Sequence, residues 1–156
     1  RFGGESALVY GPFSAQAEYI QADINGEGYS NESLNGYYGY VSYFLTGESR
    51  AYKAKTGAWD RLKPNKNFSF KNGGLGAWEL AAGYDYLDLT DKAINGGRAA
   101  TAKFGVNWYP NSHIKMMANF IHVLEVQAPG SYNKPSTANY DGSNLDMFEM
   151  RGQVDF

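Results

Sequence analysis

The feature that most constrains the fold of this chain is an alternation of apolar and polar residues with a period of two. In one segment, Trp78, Leu80 and Ala82 share one parity. Glu79 and Gly83 fall on the other parity. Because successive side chains of a β-strand point to opposite faces, this pattern predicts strands. The sequence predicts an all-β chain with seven antiparallel strands, which lie near residues 8–10 and at 13–19, 34–46, 78–86, 100–108, 114–120 and 148–156.

Two architectures accommodate such strands. In a soluble sheet the apolar face packs into a core, whereas in a transmembrane β-barrel it meets lipid and the polar face lines the lumen. The strand at 34–46 spans 13 residues, which exceeds the roughly 5–6 typical of globular sheets and suffices for the ~9–11 that cross a bilayer. Aromatic residues also lie near strand ends, as in the girdles at membrane interfaces. They are Tyr10, Tyr43, Trp78, Tyr86, Trp108, Tyr109 and Phe156.

Composition excludes several other classes. The mean hydropathy is -0.50, and no uninterrupted apolar run exceeds 4 residues, so a transmembrane helix is excluded. The absence of cysteine excludes disulfide scaffolds and thiolate zinc sites. A formal net charge of -2 gives no indication of nucleic-acid binding.

The connections between the predicted strands are of two kinds. Tight turns are predicted at residues 11–12 and 110–112, where Gly, Pro, Asn and Ser favour turn geometry. Longer polar loops are predicted at 23–33, 89–97 and 124–144. Alternation of short turns with long loops is typical of the two sides of an outer-membrane barrel.

The C-terminal strand ends on an aromatic residue, Phe156, with Val154 and Met150 on the same parity. This ending is similar to the terminal strand that bacterial outer-membrane proteins present to their insertion machinery. Seven strands do not complete a barrel, because single-chain bacterial barrels have an even number of strands. Residues 1–156 are therefore predicted to be the C-terminal part of a single barrel domain.

Several sequence blocks carry a more specific resemblance. They are GPFSAQAEY at 11–19, YFLTGESR at 43–50, GAWELAA at 76–82, YDYLDL at 84–89 and NWYPN at 107–111. In this order the blocks resemble the C-terminal part of the phosphate-selective porin family (porins O and P). The resemblance implies a 16-stranded outer-membrane barrel, assembled as a homotrimer, that passes anions such as phosphate or polyphosphate. The family often has Arg where this chain has Gly83, which puts strict phosphate selectivity in doubt.

Basic residues are concentrated in one region. Residues 46–71 contain seven Lys and Arg residues against two acidic ones, for a net charge of +5, and the remainder of the chain has -7. Counting strands back from the C-terminus places this region on the periplasmic side, where it is expected to fold over or into the pore mouth. There it could concentrate anions, or it could be a solvated loop. The residues predicted to attract anions are Lys53, Lys55, Arg61, Lys63 and Lys66.

The strands contribute a mixed set of lumen charges. The predicted lumen-facing basic residues, with a secondary role, are Lys103, Lys115 and Arg151. They are outnumbered by the acidic residues on the same parity, which are Glu18, Glu79, Asp85, Glu149 and Asp155. Three basic against five acidic residues do not form an anion filter, so any anion preference of this part is expected to come from residues 46–71.

No catalytic, cofactor or metal-binding motif is found, because His113 and His122 have no third ligand at a suitable spacing. The predicted function is passive diffusion of small anionic solutes across the bacterial outer membrane, in contact with its lipid and lipopolysaccharide. Two alternatives remain open at this stage. One is a soluble β-sandwich that binds carbohydrate through exposed Tyr and Trp, and the other is a structural or weakly cation-preferring barrel.

Overall fold

The structure, a computed structural model, describes residues 1–26, 29–53, 55, 58–127 and 145–155. The described residues form strands and contain no helix that could span a membrane. The strands are β1 (Phe2–Tyr10), β2 (Phe13–Gly26), β3 (Tyr29–Phe44), β4 (Tyr52–Lys53), β5 (Ala58–Trp59), β6 (Ala77–Asp91), β7 (Ile94–Asn111), β8 (Ile114–Gln127) and β9 (Asp146–Val154).

Seven of these strands form one antiparallel sheet in the order β1-β2-β3-β6-β7-β8-β9, and β4 and β5 form a separate short hairpin. The predicted all-β class and the seven antiparallel strands are confirmed. The sheet is open, with β1 and β9 at its two edges. Each strand of the sheet pairs with its neighbour in sequence, apart from the insertion of the β4–β5 hairpin between β3 and β6.

The sheet has two different ends. One end, here called the segment end, carries the turn at residues 11–12, the turn at 112–113 and the long connection 45–76. At the other end, called the hairpin end, Gly26 pairs with Tyr29 and Asp91 pairs with Ile94. The connection 45–76 therefore lies at the same end as the C-terminal end of β9, as the strand count predicts.

The long loops predicted at 23–33 and 89–97 are wrong where the structure describes them. Strands β2 and β3 continue to Gly26 and from Tyr29, and strands β6 and β7 continue to Asp91 and from Ile94. Asn, Gly and Asp favour turns, but they also pair in an antiparallel ladder once a hairpin holds the register. The third predicted loop, 124–144, lies largely outside the described residues, and β8 continues to Gln127.

The register gives the sheet two chemically distinct faces. Gln16 is opposite Tyr40, and Glu79 is opposite Asn107, on what we call the polar face. The other, apolar face carries large apolar side chains that are exposed. Phe104 is 59% exposed and Met150 is 75% exposed, and other exposed members of this face include Leu8, Val41, Leu80, Phe120, Phe148 and Val154. An exposed apolar face of this extent is typical of a surface that meets lipid or a partner rather than water.

Aromatic pairs border the apolar face. Trp78 stacks on Trp108 near the segment end, with ring centroids 5.6 Å apart. Tyr37 stacks on Tyr86 near the hairpin end, with centroids 5.1 Å apart. Eight residues of β6 separate the two borders, or about 26 Å at the usual rise of a strand. This spacing is similar to the ~25 Å apolar band of membrane barrels.

Two predicted girdle residues have other outcomes. Tyr109 points to the polar face, where its hydroxyl donates to Glu79, so its assignment to a girdle is wrong. The register irregularity between Trp108 and Asn111 surrounds Pro110, which has no N–H to donate to the ladder. Phe156 lies outside the described residues.

The buried part of the molecule lies mainly at the segment end of the polar face. Phe44 and Ala77 are buried there beside polar residues. The buried polar residues of this region are Ser14, Ser42, Glu48, Glu79 and Asn107. The described part of the connection 45–76 therefore packs partly against the end of the sheet, as the burial of Glu48 shows.

Candidate functional site

The connection 45–76 has two arms with different environments. The inner arm, residues 48–61, makes its contacts on the polar face; its residues 54, 56 and 57 lie outside the described residues. The rim arm, residues 65–76, makes its contacts at the end of the sheet near Trp108. The Asn65 N–H donates a hydrogen bond to the buried carboxylate of Glu48 at 2.9 Å. This bond joins the start of the rim arm to the inner arm.

An ion pair attaches the inner arm to the sheet. Arg50 donates to Oε1 of Glu79 through Nε at 3.1 Å and through Nη2 at 2.7 Å. The other oxygen of Glu79 accepts hydrogen bonds from Asn107 at 2.9 Å and from the Tyr109 hydroxyl at 2.8 Å. The Glu79 side chain is 0% exposed and that of Arg50 is 19% exposed. Both charges are thus compensated, as buried charges require.

Aromatic side chains surround the Arg50 guanidinium. Its central carbon lies 5.3 Å from the centroid of the Trp59 ring and 5.9 Å from that of Tyr40. Trp59 Nε1 donates to the Gln16 side chain at 3.0 Å, and the Tyr40 hydroxyl donates to the same oxygen at 2.8 Å. These contacts attach the inner arm to β6 through Arg50 and to β2 through Trp59.

Electrostatics favour the charged form of Arg50 at this position. Burial opposes the charge, but attraction to the Glu79 carboxylate and the hydrogen bonds to it outweigh burial and raise the pKa of Arg50. Arg50 is consequently a permanent cation whose charge is balanced locally. It offers little net charge to a solute.

The rim arm is held by backbone and aromatic contacts. Trp108 Nε1 donates to the carbonyl of Leu75 at 2.9 Å, and the Phe68 N–H donates to the carbonyl of Pro110 at 2.7 Å. The Phe68 ring meets Trp108 edge to face, with centroids 5.2 Å apart. Phe70 follows on this arm and is 95% exposed. The rim arm thus extends the aromatic border of the apolar face.

Gly76 joins the rim arm to β6. Its φ angle is +70°, in the left-handed region that favours glycine, and an added Cβ would lie 2.5 Å from the Tyr109 carbonyl oxygen. The backbone can approach β7 this closely only because no side chain is present. Gly76 therefore allows the rim arm to return to the sheet directly before β6 begins at Ala77.

A cavity of about 220 Å³ lies between the inner arm and the segment end of the sheet. Its lining includes Arg61, Lys115 and His113 together with the acidic residues Asp60 and Asp155. Arg61 Nη1 lies 3.2 Å from Nδ1 of His113. Lys115 is half-buried, and its ammonium lies 5.2 Å from the centroid of the Tyr109 ring. With Arg50, which also lines it, the cavity brings three cationic side chains together beside two carboxylates.

The five residues predicted to attract anions do not form one cluster. Arg61 lines the cavity. Lys55, Lys63 and Lys66 are exposed, and among the described residues no hydrogen bond or ion pair is found for them. For Lys53 the structure describes only the backbone, in β4. Their role in attracting anions stays a prediction.

The three predicted lumen cations also differ from one another. Lys103 forms a 2.8 Å ion pair with Asp85, so its charge is balanced on the sheet. Lys115 lines the cavity, and Arg151 is exposed, opposite Met117 in the register. Of these three residues, Lys115 alone lines the cavity that Arg61 of the inner arm also lines.

The attachment of the inner arm was not predicted. In the sequence Arg50 is one of seven basic residues of the region with no specific role, and the parity of Glu79 predicts a place on the lumen wall. One pattern in the sequence is relevant. Arg50 and Trp59 carry hydrogen-bond donors, and the predicted polar face presents the polar side chains of Gln16 and Tyr40. That pattern does not identify Glu79, which is 29 residues from Arg50 in the sequence, as the partner of Arg50.

Comparison with known proteins gives consistent results. A protein from Pseudomonas aeruginosa named Porin O is 34% identical over 131 residues, which covers 77% of this chain and 28% of that protein. An uncharacterised protein from Caulobacter vibrioides is 35% identical over 120 residues, covering 76% of this chain and 23% of its own length. The chain thus spans about a quarter of the length of these relatives. The model of the family described as phosphate-selective porin O and P matches residues 1–156, and the chain belongs to this family.

Proposed function

We propose that residues 1–156 form the C-terminal part of a 16-stranded outer-membrane porin that passes small anions, such as phosphate or polyphosphate, by passive diffusion. Membership of the phosphate-selective family supports this function. The observation on which the proposal depends most is the position of the inner arm. A basic segment is attached, through Arg50 and Trp59, to the face of the sheet that carries polar residues.

The two faces of the sheet support a barrel wall. The apolar face is exposed between two aromatic borders that include Trp78, Trp108 and Tyr86. Charged residues follow directly beyond the border at the hairpin end, where Arg98 pairs with Asp88 at 2.8 Å. In a barrel this face meets lipid, and these aromatic residues lie at the membrane interfaces. The polar face then lines the lumen.

The inner arm narrows the lumen at the segment end. Its Arg61, with Lys115 on the wall, presents cations to a solute that has lost part of its hydration shell. In a narrow passage with low-dielectric walls such charges raise the local concentration of anions. Each contact is weak enough for release, and no chemical step is required.

Reversal potentials test this function. The full-length porin is inserted in a planar bilayer under a KCl gradient, and we expect chloride to be more permeant than potassium. Replacing Lys53, Lys55, Lys63 and Lys66 by Glu should abolish or reverse this preference. Cation preference of the unmodified porin would contradict the proposal, and selectivity unchanged by the four replacements would remove these four lysines from it.

A specific observation favours a second candidate, a structural or weakly cation-preferring barrel. Polar-face carboxylates are accessible, since Glu149 is exposed and Glu18 is half-buried. The cations Arg50 and Lys103 are both paired with carboxylates. In this candidate the acidic wall determines selectivity, and potassium is the more permeant ion in the same measurement.

The remaining assignments follow from the barrel. We propose the bacterial outer membrane as the location, a homotrimer as the assembly, and contacts with lipid, lipopolysaccharide and, through the C-terminal strand, the insertion machinery. The soluble carbohydrate-binding alternative is not favoured, because it would leave the apolar face exposed to water. Extraction decides between them. The barrel leaves cells only in detergent and migrates as a heat-modifiable oligomer, whereas extraction in buffer alone would contradict it.

A further inference from the structure

We propose that Glu79 is a positioning residue of the channel, which holds the inner arm across the polar face by fixing Arg50. The inference rests on the proposed function, in which this face lines the lumen. Glu79 does not itself meet the solute. Its role is to determine where the cations of the inner arm lie.

Glu79 differs from the other carboxylates of the polar face. Its side chain is 0% exposed, whereas that of Asp85 is 41% exposed and Glu149 is also exposed. Its two oxygens accept four hydrogen bonds, two from Arg50 and one each from Asn107 and Tyr109. A carboxylate satisfied in this way has little capacity left to interact with ions in a lumen.

The sheet orients Glu79 independently of the inner arm. Asn107 is directly opposite Glu79 in the β6–β7 ladder, and Tyr109 is opposite Ala77 two residues away. Both donate to Oε2, which leaves Oε1 directed at Arg50. Side chains on paired strands therefore form a rigid receptor for one guanidinium.

The inner arm presents Arg50 in a fixed geometry as well. The guanidinium lies beside the Tyr40 and Trp59 rings, and Trp59 is bonded to Gln16 on β2. Within the arm, the Asp60 N–H donates to the Ala51 carbonyl at 2.8 Å, which connects its two ends. Release of Arg50 from Glu79 would thus free the arm at β6 and leave the contact of Trp59 with β2 and that of Arg61 with His113.

The pairing also fixes which charges act on solutes. Since Arg50 and Glu79 neutralise each other in a buried site, neither contributes net charge to the passage. The field along the inner arm then comes from the cations that are not in this pair, among them Lys55 and Arg61. Glu79 acts on selectivity through the position of these residues.

Hydrogen exchange with mass spectrometry on the full-length porin in detergent tests this role. In Glu79→Gln, amides in peptides covering residues 48–62 should exchange about 100-fold faster, because removal of one partner leaves a buried charge uncompensated. Peptides from β8 should be unchanged. Glu149→Gln is the matched control, with the same change on the same face at an exposed site, and should leave both sets unchanged.

Two further variants make the result specific to the pair. Arg50→Gln changes the arm and leaves the hydrogen bonds of Glu79 to Asn107 and Tyr109 in place, so it tests the pair without altering the sheet and should accelerate exchange in the same peptides. The double variant should exchange no faster than either single variant, because no unpaired charge remains. Exchange at 48–62 unchanged in Glu79→Gln and Arg50→Gln, or accelerated equally by Glu149→Gln, would overturn the proposal.

Single-channel recording gives the functional counterpart. We expect Glu79→Gln to raise open-channel current noise without changing the sign of the ion selectivity, and Glu149→Gln to leave the noise unchanged. The two proposals fail separately. If the porin is anion-selective and Glu79→Gln leaves its hydrogen exchange unchanged, only the positioning role of Glu79 is wrong. If the porin is cation-selective and exchange is accelerated, the proposed function is wrong and the positioning role of Glu79 stands.

Discussion

The inner arm and the rim arm lie close together in sequence and carry the same net charge of +2, but they contact different parts of the sheet. Arg50 of the inner arm pairs with Glu79 on the polar face, through charge and directed hydrogen bonds. Phe68 of the rim arm packs on Trp108, at the border of the apolar face. Both arms carry exposed lysines, Lys55 on one and Lys66 on the other.

The comparison shows that a run of basic residues is not one functional unit. The position of each cation depends on the neighbours that anchor its stretch of backbone. Asn65 and Phe68 are tied to Glu48 and Pro110, so Lys66 between them lies at the end of the sheet. Arg61 lies over the cavity beside the polar face. Charge counting treats the two as equivalent, although we propose that only Arg61 faces the anion path.

The largest effect on stability is expected where the rim arm enters the sheet. Gly76→Ala should lower the unfolding free energy by about 3 kcal/mol, since it combines a left-handed backbone with a Cβ close to the Tyr109 carbonyl. Gly47, before the inner arm, also has a positive φ of +84° but open space around it, so Gly47→Ala should cost only about 1 kcal/mol. Urea titrations of the full-length porin in detergent, followed by circular dichroism, compare the two. An equal loss of unfolding free energy in the two variants would show that the backbone of Gly76 does not approach the Tyr109 carbonyl closely.

A smaller and matched effect is expected from two tryptophans. Trp59→Phe removes the hydrogen bond to Gln16, and Trp108→Phe removes the one to the Leu75 carbonyl. Each should lower the unfolding free energy by about 1 kcal/mol. Only Trp59→Phe should raise channel noise, because it loosens the inner arm. If Trp108→Phe raised the noise to the same extent, the functional distinction between the arms would be lost.

The smallest effects distinguish two phenylalanines of the rim arm. Phe68→Ala removes an aromatic contact with Trp108 and should cost about 1–2 kcal/mol. Phe70 is 95% exposed, so Phe70→Ala should change the unfolding free energy in detergent by less than about 0.5 kcal/mol. The same urea titrations measure both. A large cost for Phe70→Ala would indicate that the rim arm packs differently from the structure.

Much of the sheet could be predicted from the sequence, because alternation reports directly which residues share a face. Trp78 and Leu80 fall on the apolar face, and Glu79 on the polar face, as their parity requires. The extent of the strands could not be predicted in this way. Residues near Asp23 and Asn95 resemble turns in composition, yet they remain paired, Asp23 with Ser33 and Asn95 with Thr90.

The site was predicted less completely than the sheet. Strand counting places the basic segment at the correct end, but composition cannot assign partners to individual side chains. Arg50 and Glu79 meet through the return of the chain at Gly76, a contact between residues with no local relation in sequence. Tyr109 has the parity of the polar face, and its position close to a strand end led to the wrong assignment.

Charge reversal in each arm tests the central claim most directly. Reversal potentials of the full-length porin under a KCl gradient are compared for Arg61→Glu and Lys66→Glu, which make the same change in net charge. A two-unit change about 7 Å from a permeating ion raises the energy of an anion by about 1.2 kcal/mol in water and lowers that of a cation by the same amount, so Arg61→Glu should lower the anion-to-cation permeability ratio about 50-fold. Lys66→Glu should lower the ratio by less than about twofold, because screening by salt weakens a more distant charge. An equal or larger effect of Lys66→Glu would contradict the account.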